Sequence, residues 1–451
     1  MCPDTSLMDG GCKPLSNPPH GTGPTNGERP CASPGAVVTV RTIADLDRDE
    51  LAVLGREYLL AGQLIDRAGM PQIISRSGRD VMQAVAIDEW MGASPVYTRR
   101  IQRLLGFAGG TDVGTMFKGM QFDIGAPHEF LDFRYLVHDP DHGEFWLDHC
   151  GALADVEPMG DDYIVAMCHH IEDPTFEATV CASNSRARMT PVHRPPRVPA
   201  DRHPQCHWEV RIDPTADELP EPPGALIVAG THAAGLAVPV IPAAPPAAGR
   251  ADYTGPVDPD LRLEDFSRDA VEALVREFAL QGHLLVLSCF VAVSSHLDAG
   301  AAVDVVTKQF IGVAGVVAGR LRDAFGTGDA GSDIATVLEL HPALQPRDYV
   351  AVRVEPGGRT FISLDDCPAT AETVGVGWAA LLAGGRADAA LDAIVGAVEP
   401  RAACVPVASS AGSLRSWEVV LGDEARPEPG EVTLTRFSSG ADFEFRRVGP
   451  R

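Results

Sequence analysis

The chain is one pattern written twice. Arg56-Glu57-Tyr58-Leu59-Leu60-Ala61-Gly62-Gln63-Leu64 aligns with Arg276-Glu277-Phe278-Ala279-Leu280-Gln281-Gly282-His283-Leu284, 220 residues further on. The offset holds without a gap through Trp90-Met91-Gly92 against Phe310-Ile311-Gly312, Arg100-Ile101 against Arg320-Leu321, and Gly106 against Gly326. Later matches need small changes of spacing: Phe145-Trp146-Leu147-Asp148-His149-Cys150 resembles the segment from Phe361 to Cys367, and Cys206-His207-Trp208-Glu209-Val210 resembles Arg415-Ser416-Trp417-Glu418-Val419. A sequence of this kind predicts two copies of one domain, packed as the intrachain version of a symmetric pair, a pseudo-dimer. Further homodimerisation is compatible with this but not indicated.

The copies share a framework and differ in chemistry. Nine of the 14 histidines and four of the 10 cysteines fall between His128 and His207. The tightest groups are Asp148-His149-Cys150, Cys168-His169-His170 and Cys206-His207. Imidazole and thiolate together are the ligand set of borderline metals such as Zn²⁺ and Fe²⁺. In the second copy His149 becomes Asp366, Cys168-His169-His170 becomes roughly Ala383-Gly384-Gly385, and Cys206-His207 becomes Arg415-Ser416, while Cys150 keeps a counterpart in Cys367. Residues that only filled a core would be replaced by others of similar shape, which glycine and arginine are not. The first half is therefore expected to be the active copy and the second a structural or regulatory partner.

Breaker residues set the boundaries. Residues 1–36, rich in Pro, Gly, Ser and Asn, form a disordered tail, with Cys2, Cys12 and Cys31 as incidental thiols. A first domain covers 37–212, a Pro/Ala/Gly-rich linker 213–259, a degenerate repeat 260–422 and a terminal strand or hairpin 423–451. Apolar spacing predicts helices over 44–67, from 78 to 90 and from Pro95 to Gly106. Strands are expected at 116–124, 128–138, 143–149, 163–169 and 207–212, with a short helix from Asp173 to Ser183. Each half is thus α+β, helices first and an antiparallel sheet after.

The balance of 37 Lys and Arg against 62 Asp and Glu gives a net charge of -25, which argues against nucleic acid or an anionic membrane surface as a partner and favours a small molecule. The longest uncharged apolar run, Leu284 to Ser295, fits a buried helix rather than a membrane span, and the first residues lack the pattern of a secretion signal. A cytoplasmic protein with reduced cysteines is expected. There is no Gly-x-x-x-x-Gly-Lys phosphate loop, Gly-x-Ser-x-Gly elbow, His-Glu-x-x-His or Cys-x-x-Cys, and Gly326-Thr327-Gly328-Asp329-Ala330-Gly331 follows a helix, so it reads as a loop.

The order of elements, ending in Asp201-Arg202-His203-Pro204-Gln205-Cys206-His207-Trp208, resembles the 4-vinyl reductase domain and its relative, L-2-amino-thiazoline-4-carboxylate hydrolase. The resemblance implies an α+β small-molecule binder or hydrolase, in some members with zinc held by cysteines and a carboxylate near the last strand. It supplies one ligand, Cys206. The cysteine that usually lies about eight residues earlier is replaced here by Val198.

The remaining ligands follow from strand geometry, in which alternate residues share a side. Asp148 and Cys150 would then converge, as would Cys168 and His170. The expected metal ligands are Cys150, Cys168, His170 and Cys206, with His149 next. Glu172, Asp173 and His169 are the expected catalytic groups, a carboxylate acting as ligand or general base. Arg194 and Arg197, stiffened by Pro195-Pro196, could hold a substrate carboxylate, or could simply bridge acidic surface. His138, His142, His193 and His203 are expected in loops or turns without function.

The expected activity is hydrolysis of a carboxylate-bearing or heterocyclic small molecule by a Zn- or Fe-dependent enzyme. A non-catalytic sensor with a structural metal, and a metal-free Cys-His enzyme, remain as alternatives.

Overall fold

A computed structural model describes residues 40–409 and 412–446. The expected disordered tail, its three cysteines and the last five residues lie outside the described residues.

Two long helices open each half. Asp47 caps α1, Arg48–Ser77, by accepting from the Glu50 amide, and α2 runs Arg79–Leu104. Their counterparts are α9, Arg268–His296, and α10, Ala299–Phe325, capped by Ser267 and Asp298. α1 packs on α10 and α2 on α9, so the core joins the halves. The apolar stretches of α9 and α10 are long enough to cross a membrane, but 83% and 78% of them are buried inside the fold.

After α3, Val113–Met120, come β1, Leu131–Asp139, β2, His142–Cys150, and the short helices α4, Gly151–Val156, and α5, Asp161–Val165. A π-helical turn, Ala166–Ile171, leads into α6, Glu172–Cys181, followed by β3, Ala187–His193, and β4, Cys206–Ile212. The second half repeats this with α11, Ala330–Leu340, β5, Val352–Glu355, β6, Thr360–Asp365, α12, Trp378–Ala383, α13, Asp388–Val398, β7, Ala402–Val407, and β8, Ser413–Leu421. The two four-stranded antiparallel sheets have the orders β1-β2-β4-β3 and β5-β6-β8-β7. The register matches as well: Phe145 and Leu147 face Trp208 and Cys206, as Ile362 and Leu364 face Trp417 and Arg415. The fold is α+β, as expected.

Five expectations fail. Residues 116–124 are not a strand: Asp112 caps α3, and Met116, Phe117 and Met120 bury a helical face. Pro95 does not break α2, because the helix is packed against α1, α6 and α9, and tertiary burial outweighs the lost hydrogen bond. Residues 163–169 are helical. The stretch 213–259 is no free linker: α7, Pro223–Val228, packs on α2, and Glu372 accepts from the amides of His232 and Ala233 at 2.9 Å, opening α8, His232–Gly235. The C-terminal piece is helix α14, Gly430–Thr435, after which the chain crosses to the first half, where Phe443 meets Phe130 edge-on with ring centroids 5.2 Å apart.

Candidate functional site

A cavity of about 720 Å³ lies in the first half. One wall is a stripe of α1, Gln63, Asp66, Arg67, Met70 and Ile74, in which 63, 66, 70 and 74, and likewise 63, 67, 70 and 74, follow intervals of three or four residues. Met82, Ala86 and Trp90 of α2, Leu131, Phe133 and Leu147 of the sheet, and Thr175, Phe176 and Thr179 of α6 complete it, with Met159 and Phe437 at the rim. Those two rim side chains are 58% and 82% exposed, which marks the mouth. The walls are mainly apolar; the charged groups are Asp66, Asp123, Asp155 and Glu172 against Arg67.

Cys150, Cys206 and Glu172 line the same cavity, and Cys168 is buried behind them. The four groups are close enough to shift one another. Burial first, then the Glu172 carboxylate, pushes the Cys150 thiol up to about 12, against the Leu153 and Ala152 amides and Arg67. Cys168 is pushed up further by burial, by Glu172, and by the thiols of Cys150 and Cys206, with Arg194 opposing. Cys206 is raised by burial, Glu172 and Cys150. Burial raises Glu172 itself to about 8, opposed by Arg194 and Arg67. Glu172 lines the cavity and is half-buried.

The reason for this convergence differs from the expected one. Cys168 lies on a helical turn, so its neighbour in space is Glu172, four residues on, and not His170 two residues on. His170 is exposed to solvent. His169 hydrogen-bonds the Pro195 carbonyl through Nε2 at 2.7 Å, which ties that ring to the loop. Asp148 points outward to Arg134 at 3.3 Å while Cys150 points inward, because a register irregularity between Leu131 and Phe133 breaks the alternation opposite them. His149 stacks on Phe443, ring centroids 6.2 Å apart. Asp173 is ion-paired with Arg194, whose guanidinium also lies 5.6 Å from the Trp208 ring centre, and Arg197 pairs with Glu157 at 2.9 Å. Neither arginine lines the cavity, so the bridging reading holds for both.

The donor set of three thiols and one carboxylate is chemically that of a Zn²⁺ or Fe²⁺ site. Its spacing is wider than a closed shell. Among the described residues the group whose ligand atoms all lie within 4.8 Å of one another is a different one, His138, His142 and Glu144.

The cavity's other polar groups escaped the sequence reading. Asp66 accepts from Trp90 Nε1 at 3.2 Å and lies 3.5 Å from Arg67, and Asp123 accepts from the Tyr97 hydroxyl at 2.6 Å and is raised by burial to about 6. Polar residues inside the apolar stripe of α1 were the available signal. No family model matches the chain, and no curated protein and no solved structure matches it.

Proposed function

We propose that the first half binds an apolar small molecule in this cavity and hydrolyses it beside a Zn²⁺ or Fe²⁺ held by Cys150, Cys168, Cys206 and Glu172. The resemblance to the 4-vinyl reductase and thiazoline-carboxylate hydrolase group is part of this proposal, as is the reading of the chain as tandem copies forming a pseudo-dimer.

The observation that carries the metal is its replacement in the second half. At the register position of Cys206 stands Arg415, and where Glu172 opens α6, Asp388 opens α13. Arg415 Nη2 binds Asp388 Oδ2 at 2.8 Å. Gly385 makes room for it: a Cβ there would lie 1.9 Å from Arg415 Nη1, and its φ of 68° suits glycine. The second half thus carries its own cation in the place where the first half gathers three thiols and a carboxylate, donors that burial keeps protonated until a metal displaces their protons.

When bound, the metal would supply a Lewis acid and an activated water. Glu172 on the cavity wall would serve as that metal's carboxylate ligand, and its proton affinity, raised by burial in the metal-free fold, would fall on loading. Asp173 is paired with Arg194, His169 is held by the Pro195 carbonyl and His170 is turned to solvent, which favours the metal over the metal-free Cys-His reading. The carboxylate-bearing substrate loses Arg194 and Arg197, so an apolar or heterocyclic substrate fits better.

A second reading rests on the donor count: four protein donors, drawn together on loading, leave no open position in a tetrahedral shell, and the cavity would then only bind and report its ligand. Hydrolysis of 4-nitrophenyl butyrate, an apolar aromatic ester, by the wild type and by Glu172→Gln separates the two. The enzyme reading predicts chelator-sensitive turnover that the substitution lowers at least a hundredfold. Binding of the ester without turnover supports the sensor.

A further inference from the structure

The outward face of the first sheet carries four imidazoles and two carboxylates that the thiol site does not use. We propose that His138, His142 and Glu144 form a second, independent site for a divalent transition metal such as Zn²⁺, Ni²⁺ or Cu²⁺, with His207 and Glu209 orienting them.

Strand geometry assembles the group. On β2, Gly143, Phe145 and Leu147 turn inward, so His142 and Glu144 share the outer face, and His138 reaches them across the β1-β2 turn. The ligand atoms of the three lie within 4.8 Å of one another, and the two imidazole rings stack with centroids 4.4 Å apart. Each Glu144 oxygen meets one imidazole: Oε1 lies 3.0 Å from His138 Nε2 and Oε2 lies 2.8 Å from His207 Nε2. His142 Nε2 lies 2.9 Å from Glu209 Oε1, which Arg211 also contacts. Carboxylates on ring nitrogens are the arrangement that fixes the tautomer of metal-binding histidines. The three side chains are 21–35% exposed, open enough for an ion to enter.

The second sheet again shows what is missing from the first. By register, Phe361 stands for Glu144, Ser416 for His207 and Glu418 for Glu209. Arg359, in the place of His142, binds Glu418 at 3.1 Å. A guanidinium meets this carboxylate in both halves, Arg359 on Glu418 and Arg211 on Glu209; the imidazoles and the second carboxylate, Glu144, are what the first sheet adds.

The test is titration of the full chain with Co²⁺ and Zn²⁺, followed by calorimetry and by the visible spectrum, in the wild type, in His138→Gln/His142→Gln and in Glu144→Gln. Thiolate ligands give cobalt an intense charge-transfer band that imidazole and carboxylate do not, so the two sites are told apart. The expected result is loss of one equivalent, or at least tenfold weaker uptake, in both variants with the thiolate band intact. If the thiol reading fails, the wild type shows no such band, and the equivalent lost in the variants is still seen. Isotherms of both variants that superimpose on the wild type, or uptake only at millimolar metal, overturn the proposal. Unchanged melting curves confirm that these surface variants fold.

Discussion

Arg100 holds Glu277 in a bidentate pair, Nε to Oε2 and Nη2 to Oε1, both 2.8 Å, with each side chain 1% exposed. Its counterpart 220 residues along is the same pair with the halves exchanged: Arg320 binds Glu57 at 2.6 and 3.0 Å. The two pairs tie α2 to α9 and α1 to α10. Arg100 also donates from Nη1 to the carbonyls of Ala234 and Leu236 at 2.9 and 2.8 Å.

Arg100→Met should cost roughly 3 kcal/mol, the lower end for breaking a buried pair, because Arg276 still reaches Glu277 at 2.8 Å. Arg100→Met with Glu277→Leu should recover most of that loss. Denaturant unfolding of the two variants checks it. A loss no larger than that of an exposed ion pair, about 1 kcal/mol or less, would contradict the interface role.

Metal content should separate neighbours in sequence. Cys168→Ala and Cys206→Ala should each lower bound metal at least tenfold, whereas His170→Ala and His149→Ala should leave the content of the thiol site unchanged. Cobalt spectra of the four variants check this. Loss of the thiolate band in His170→Ala would restore the strand geometry that the helical turn replaces.

How much was legible in the sequence follows from these residues. The 220-residue offset is legible because α1, α2, α9 and α10 carry it without a gap, down to the Arg100–Glu277 and Arg320–Glu57 pairs. The three thiols were visible as residue types. Their fourth partner was not, because a run such as Val165-Ala166-Met167-Cys168 has neither a clear period of two nor of 3.6, and the choice between them decides whether Cys168 meets His170 or Glu172. The outer histidines were set aside as turn residues, since sheet neighbours such as Glu144 and His207 are 63 residues apart and only strand pairing reveals them.

The apo protein should lose stability as pH rises from about 4.5 to 8. Glu172 has its affinity for a proton raised to about 8 from an ordinary 4.5. Over that window the folded state keeps a proton that the unfolded chain has released, so unfolding is favoured progressively, with the full effect above pH 8. Asp123, raised to about 6 from 3.8, adds in the same direction at lower pH. Melting temperatures of metal-free wild type and Glu172→Gln across this range check it. Parallel curves would contradict the assignment.

Gly385→Ala should destabilise the second half by roughly 2 kcal/mol, combining backbone strain at positive φ with the close approach of Arg415. The double change with Arg415→Ala removes the clash but leaves Asp388 one partner short, keeping only the Trp417 Nε1 bond at 3.2 Å. Thermal unfolding of the single and double variants should therefore show partial rescue. No loss in Gly385→Ala would mean that Arg415 does not occupy that place.

The central claim is the thiol-carboxylate metal site, and elemental analysis of the purified, untagged protein beside its Cys206→Ala variant tests it most directly. The account predicts Zn or Fe in the wild type at one equivalent for this site, lost in Cys206→Ala; a wild type that holds no metal and takes none up into thiolate ligation on reconstitution would contradict it.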